Sequence, residues 1–165
     1  MATSESTDDA AQAAESDLVR DFGLLISAAN RLEQRIDAAL RENCGIRHTM
    51  FEVLIALCRA PGGRLSQRAL GEELVLTSGG VTRLIDQMEQ AGFVARSTSA
   101  EDRRVTVAEV TELGRATFVD AVAVHAEVVG ENFVAPVDAA DYPTLIRALS
   151  NIGEAARRSA AAPGD

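Results

Sequence analysis

One stretch, Leu65 to Arg96, "LSQRALGEELVLTSGGVTRLIDQMEQAGFVAR", restricts the fold more than any other. It writes the same helix entry twice. Ser66 is an N-cap residue with Leu65 before it and Leu70 four positions inside. Thr77 is an N-cap residue with Leu76 before it and Val81 four positions inside. A side-chain oxygen at the cap takes a free backbone N–H, and the flanking apolar pair staples the chain's entry angle. The expected helices are 66–74 and 78–91, joined only by Val75-Leu76. So short a join forces the helices to cross steeply, as in a helix-turn-helix. Gly92 suits the left-handed position after the second helix, where Phe93 folds back on Met88.

Val81, Leu84, Ile85 and Met88 form the buried stripe of the second helix. At 100° per residue, Gly79, Thr82, Arg83, Asp86 and Gln90 face away from it. Gly79-Gly80 raises a second possibility, a loop that cradles phosphate in a nucleotide enzyme. That signature requires a following Lys and a preceding strand, and neither is present. The better reading is a helix start without side-chain bulk at Gly79, able to lie close against another molecule.

The elements around this pair complete an architecture. β-prone segments 93–97 and 104–110 enclose a polar tip, Thr98 to Arg103, and read as a hairpin. Before the pair, Thr49 is a candidate cap for a helix Met50–Arg59. That helix is apolar nearly all round through Phe51, Leu54, Ile55 and Cys58, widened by Met50, Val53 and Leu57, so it is expected at the centre. Residues 17–42 read as one helix with a heptad-like seam of Leu18, Phe22, Leu25, Ala29, Leu32, Ile36 and Ala39. Such a helix runs about 39 Å at 1.5 Å per residue, more than one small core uses, so part of its seam is expected to meet a partner chain. Thr111 caps a further helix to about Gly130, with Leu113, Phe118, Ala121, Val124, His125 and Val128 inside. After "APVD", Asp138 caps a last helix striped by Tyr142, Leu145, Ile146, Leu149 and Ile152. The expected fold is therefore mostly α with a small β-wing: a winged helix-turn-helix flanked by N- and C-terminal dimerisation helices.

The 165 residues suffice for one domain with a proper core. It is expected over 17–160, with 47–110 as the nucleic-acid-binding lobe and 17–42 and 111–160 as dimerisation helices. The small, acidic residues 1–16 and the tail 161–165 read as a disordered lead and end. No run reaches the roughly 18 apolar residues of a membrane span, and the N-terminus lacks the basic start and apolar segment of a signal peptide. The expected setting is cytoplasmic, without membrane partners, and there Cys44 and Cys58 are thiols rather than a disulfide. The net charge of −9 at first argues against nucleic acid. Between Arg64 and Arg104, however, six Arg balance six acids, and the remaining ten Arg against 19 acids carry the whole excess. The acidity lies outside the middle of the chain.

The outward face of helix 78–91 is free to enter a DNA major groove, about 12 Å wide. Thr77, Ser78 and Thr82 offer hydroxyls for phosphates or bases, and Arg83 suits a guanine edge or a phosphate. Gly79 lets the backbone approach. Ser66 and Gln67 begin the preceding helix and are placed to hold the DNA backbone. At the hairpin tip Arg103 and Arg104 can reach a minor groove, with Asp102 holding one guanidinium.

At these residues the chain resembles the MarR family of bacterial winged-helix transcription regulators. The matching pieces are "FEVLIALCRAPGGRLSQRALGEEL", "LTSGGVTRLIDQMEQAGFVAR" and "EDRRVTVAEVTELG". The most specific part is Asp102 to Arg104, followed by a strand and the Thr111-x-x-Gly114 helix start. The resemblance covers about 20 to 160. It implies outer helices that dimerise, a reading helix at 78–91, and a minor-groove Arg104 oriented by Asp102. It also implies, in many members, release of DNA when a small phenolic or acidic ligand binds between the dimerisation helices and the DNA-binding lobe. Arg35, His48, Glu52 and Arg59 lie on or beside the helices that line that pocket. Thiol oxidation is the trigger in other members, and Cys44, near Arg41, Arg47 and His48, is the candidate here. Peroxide sensors of the family carry their Cys near the start of the first long helix, where this chain has none.

Cys58 on its apolar stripe reads as a buried small hydrophobe. His125 at helical spacing reads as a packed core residue. Cys44, His48 and His125 are too thin a set for zinc, so no metal or other cofactor is expected. No nucleophile, base and metal gather in one place, so no catalytic residues are expected and the chain reads as a non-enzyme. The resulting expectation is a homodimer on a palindromic double-stranded operator, acting as a repressor released by a phenolic or carboxylate effector. The alternatives are a winged helix used for protein contact alone, and a redox-responsive regulator acting through Cys44.

Overall fold

The computed structural model describes residues 16–98 and 105–161. The expected disordered lead and tail lie outside these apart from Ser16 and Ala161, and the wing tip with Asp102, Arg103 and Arg104 lies outside them as well. The chain divides into two compact units, one ending at Ala126 and the other beginning at Glu127.

The first unit opens with α1, Asp17–Cys44. It runs two residues past the expected end and stops at Gly45, whose left-handed backbone caps it. Only Ile36 and Leu40 of α1 are buried. At the upstream end of the seam Leu18 is 84% and Phe22 64% exposed, as is Leu24 beside it, while Leu25 and Leu32 are half-buried.

Helix α2, His48–Arg59, is the centre of the core, with Phe51, Val53, Leu54, Ala56 and Leu57 buried. Its buried face is turned slightly from the expected stripe, so Ile55 and Cys58 are only half-buried. Thr49 does not cap it. The helix starts two residues earlier than expected, and its first amide, His48 N–H, donates to Asp37 Oδ1 of α1 (2.9 Å). A carboxylate from another helix can satisfy an orphan donor as well as a local hydroxyl can.

A 3₁₀ turn, Pro61–Gly63, leads to β1, Arg64–Ser66. This strand was not expected, because three residues are too few to show an alternation. It exists through pairing: Arg64 opposes Glu109, Leu65 opposes Ala108 and Ser66 opposes Val107. Helices α3, Gln67–Glu73, and α4, Ser78–Gln90, follow. The hairpin is β2, Val94–Thr98, and β3, Thr106–Val110, antiparallel from Val94↔Val110 to Thr98↔Thr106. The sheet thus has three strands in the order β1-β3-β2 rather than the expected two.

Helix α5 spans Glu112–Val129. Thr111 caps it as expected, its Oγ1 accepting from Gly114 N–H (3.0 Å) while its hydroxyl donates to the Gly92 carbonyl (2.6 Å). Leu113, expected inside, is exposed, lying in the first turn about 80 to 100° round the helix from the buried Gly114 and Ala121. In the second unit a π-helical turn, Gly130–Val134, precedes α6, Tyr142–Ala161. Asp138 does not cap α6 itself. Its Oδ1 accepts from Ala140 N–H (3.1 Å), capping a turn that leads into the helix. On the apolar stripe of α6, Ile146 and Ile152 are exposed and Tyr142, Leu145 and Leu149 are half-buried. No described helix is long and apolar enough to cross a membrane.

Candidate nucleic-acid interface

Both expected caps are made. Ala69 N–H donates to Ser66 Oγ (3.1 Å), and Gly80 N–H donates to Thr77 Oγ1 (3.2 Å). Each hydroxyl therefore spends an acceptor site and keeps its O–H to donate outward. Val81, Leu84, Ile85 and Met88 are buried, and Ser78, Gly79, Thr82 and Arg83 are exposed. The second helix closes as expected, with Phe93 N–H donating to Met88 O and Gly92 N–H to Glu89 O (both 2.9 Å).

The paired glycines have separate reasons. A Cβ at Gly79 would meet nothing within 4 Å, whereas one at Gly80 would lie 3.2 Å from Thr77 Oγ1, the capping atom. Gly80 protects the cap, and Gly79 leaves the tip of α4 bare.

The turn before α4 carries a feature with no composition signal. Val75 is 91% exposed and has φ +54°. A β-branched residue is strained in that left-handed region. The carbonyl of Gly71 holds the turn by accepting from Leu76 N–H (2.9 Å).

Gln67 and Thr82 come together across the two helices, with Oε1 and Oγ1 3.5 Å apart, and Thr82 also donates to Ser78 O (3.1 Å). Asp86 and Gln90 were expected on the free outward face with Arg83. Gln90 is exposed, but Asp86 is partly covered because it forms an ion pair with Arg96 of β2. The same guanidinium donates to Glu89 Oε2 and to the Thr82 carbonyl (3.2 Å each), while the Arg96 backbone N–H donates to Glu89 Oε1 (3.2 Å). Arg96 thus ties the wing strand to the exposed helix over two turns. The sequence reading missed it, and the only available signal was an Arg opposite two acids spaced i, i+3. With Asp86 so engaged, Arg83 has no ion-pair partner among the described residues.

The carbonyl of Phe93 accepts from Thr111 N–H (3.1 Å), and a Cβ at Gly114 would lie 2.1 Å from that same oxygen. The Thr-x-x-Gly start of α5 therefore fixes where α4 hands over to β2.

The residues proposed for an effector do not form one group. His48 and Arg59 sit at opposite ends of α2, about 16 Å apart along the axis at 1.5 Å per residue. Arg35 and Arg59 are exposed, and Glu52 and His48 are half-buried. Around His48 there is instead an aromatic cluster: its ring stacks with His125 (centroids 6.2 Å, 13° between planes), and Phe51 lies 4.9 Å from His125 and 5.7 Å from Phe118. His48 Nδ1 is buried without a hydrogen-bond partner, with Glu33 Oε1 4.0 Å away. Burial, and then the neighbouring His48, push the His125 imidazole below its usual range. Cys44 is half-buried, and its thiol is pushed up by burial and then by Asp120. Among the described residues no three His, Cys, Asp or Glu side chains gather as a metal site.

A family model described as MarR family matches residues 45–105. The HTH-type transcriptional regulator MhqR of Bacillus subtilis is 36% identical over 87 residues, 53% of this chain and 59% of its own length. The chain thus spans less than two thirds of the curated relatives it matches. AbsC, a MarR family transcriptional regulator from Streptomyces coelicolor, shares the fold, with a TM-score of 0.78 over 86% of this chain and 96% of that one at 24% identity. The transcriptional regulator MOSR of M. tuberculosis, solved in complex with DNA, is 28% identical with a TM-score of 0.67, over 82% of this chain and 95% of that one.

Proposed function

We infer that this chain, which belongs to the MarR family, is a homodimeric transcriptional regulator that lays α4 in the major groove of a palindromic operator. The carrying observation is the bare, capped tip of α4: a Cβ at Gly79 would meet nothing within 4 Å, Thr82 and Arg83 are exposed, and Arg83 is unpaired among the described residues. The DNA complex of MOSR supports the reading. Ser66, Gln67, Thr77 and Ser78 position the backbone, Thr82 and Arg83 read bases, and the tip residues Arg103 and Arg104, with Asp102, reach the flanking minor groove. The chain works as a repressor in the cytoplasm and carries out no reaction of its own.

Effector release is part of this proposal. The rings of Phe51, Phe118 and His125 near His48 suit a phenolic ligand, and a carboxylate ligand would take the exposed Arg35 as its partner, with Glu52 half-buried nearby on α2 and Arg59 outside the site. Redox control through Cys44 is disfavoured, because an oxidation-sensing thiol needs its thiolate favoured, and here burial and Asp120 act the other way.

Fluorescence anisotropy with duplexes differing at one base pair tests the assignment. Thr82→Ala and Arg83→Ala are expected to shrink the difference between matched and mismatched duplexes, each by about 1–3 kcal/mol. Arg104→Ala is expected to weaken all duplexes alike. Full discrimination retained by both α4 variants would remove α4 from the reading role.

A further inference from the structure

Two open recesses flank the turn between α3 and α4, and Leu76 lines both. The first, about 430 Å³, is lined by Gln67, Arg68, Gly71, Glu72, Leu76 and Ser78. Its charges cancel, since Arg68 Nε donates to Glu72 Oε1 at 2.9 Å. The second, about 300 Å³, lies between the start of α2 and the outer face of α4. Arg47, Thr49, Arg83 and Gln87 supply its polar lining, and no carboxylate does. Arg47 and Arg83 make no ion pair among the described residues. Asp37, which meets the start of α2, is already committed: Oδ1 takes His48 N–H, and Oδ2 pairs with Arg41 at 2.7 Å.

We propose that this second recess holds a backbone phosphate of the DNA strand on the side of α4 opposite Gln67 and Ser78, with Arg47 as its principal donor. The inference rests on α4 entering the major groove. A helix with side chains is about 10 Å across and fills a groove about 12 Å wide, so a row of phosphates faces each flank. Ser66, Gln67 and Ser78 attend to one row. The other row meets Arg47, with the Thr49 hydroxyl and the Gln87 carboxamide beside it, all groups able to donate to an anion, while Arg83, which also lines the recess, keeps its base-reading role. Such a contact fixes register and carries no base information.

The test uses the full chain and two probes: a duplex recovered from a random pool by the unaltered chain, and a scrambled duplex of equal length. Arg47→Ala is expected to weaken both by the same factor, about three- to tenfold. It is also expected to lower the slope of log affinity against log salt by about 1. Arg47→Lys should keep the slope. Folding is not at issue, because the Arg47 carbonyl, not its side chain, accepts from Met50 and Phe51 N–H. An unchanged thermal midpoint checks this. Unchanged affinity and slope for Arg47→Ala, with Arg83→Ala still impaired, would overturn the phosphate site alone. If Arg83→Ala also bound normally, the groove reading would fall with it.

Discussion

A glycine in a helix interior costs about 1 kcal/mol relative to Ala, and Gly79-Gly80 offset that cost in different ways. Gly80 keeps the Thr77 cap unobstructed, and Gly79 keeps the helix tip low. Gly79→Leu is therefore expected to change stability by less than about 1 kcal/mol while weakening operator binding at least tenfold. Gly114→Ala is expected to do the reverse, costing about 3 kcal/mol of stability, because its Cβ would run into the Phe93 carbonyl, a backbone atom with nowhere to move. Thermal unfolding and anisotropy on the same samples separate the two. Equal loss of folding and binding in Gly79→Leu would return it to a structural role. At this scale the caps of Ser66, Thr77 and Thr111 were legible, because each lies within three residues of the amide it serves. The Asp37 cap of α2 was not, since its partner is eleven residues away on another helix. Nor was the left-handed Val75, where a β-branched side chain points to the opposite conformation.

At the scale of elements, α3 and α4 match their expected ranges to within a residue, because hydrophobic staples, caps and a left-handed glycine mark three of their four ends. β1 was illegible, since three residues become a strand only by pairing with β3. Arg96 belongs to neither pattern, yet it sets the wing strand against α4 through Asp86, Glu89 and the Thr82 carbonyl. Arg96→Ala is expected to cost about 1 kcal/mol of stability, the partners being half-exposed, and to weaken binding further by loosening the wing. Arg96→Lys should not restore it, because a point charge cannot serve three acceptors held in a planar fork. Recovery of wild-type affinity by the Lys variant would show that charge alone is enough.

For the whole molecule, the uncovered seam of α1 and the stripe of α6 ask for a partner. Burying a large apolar side chain is worth about 1.5–3 kcal/mol, and Leu18, Phe22 and Leu24 are mostly in water in the single chain. Phe22→Glu is expected to halve the molecular mass measured by light scattering and to weaken operator binding by more than tenfold. A dimer that survives it would place the interface elsewhere. The heptad-like spacing marks Leu18 and Phe22 as seam residues, and both are exposed in the single chain. The net charge of −9 adds that non-specific binding should be weak and steeply lost with salt. The most direct test of groove reading by a dimer is to sequence the duplexes retained by the full chain from a random pool at physiological salt. The expected result is one palindromic motif with half-sites about 10 to 10.5 bp apart. Retained duplexes indistinguishable from the input pool would contradict it.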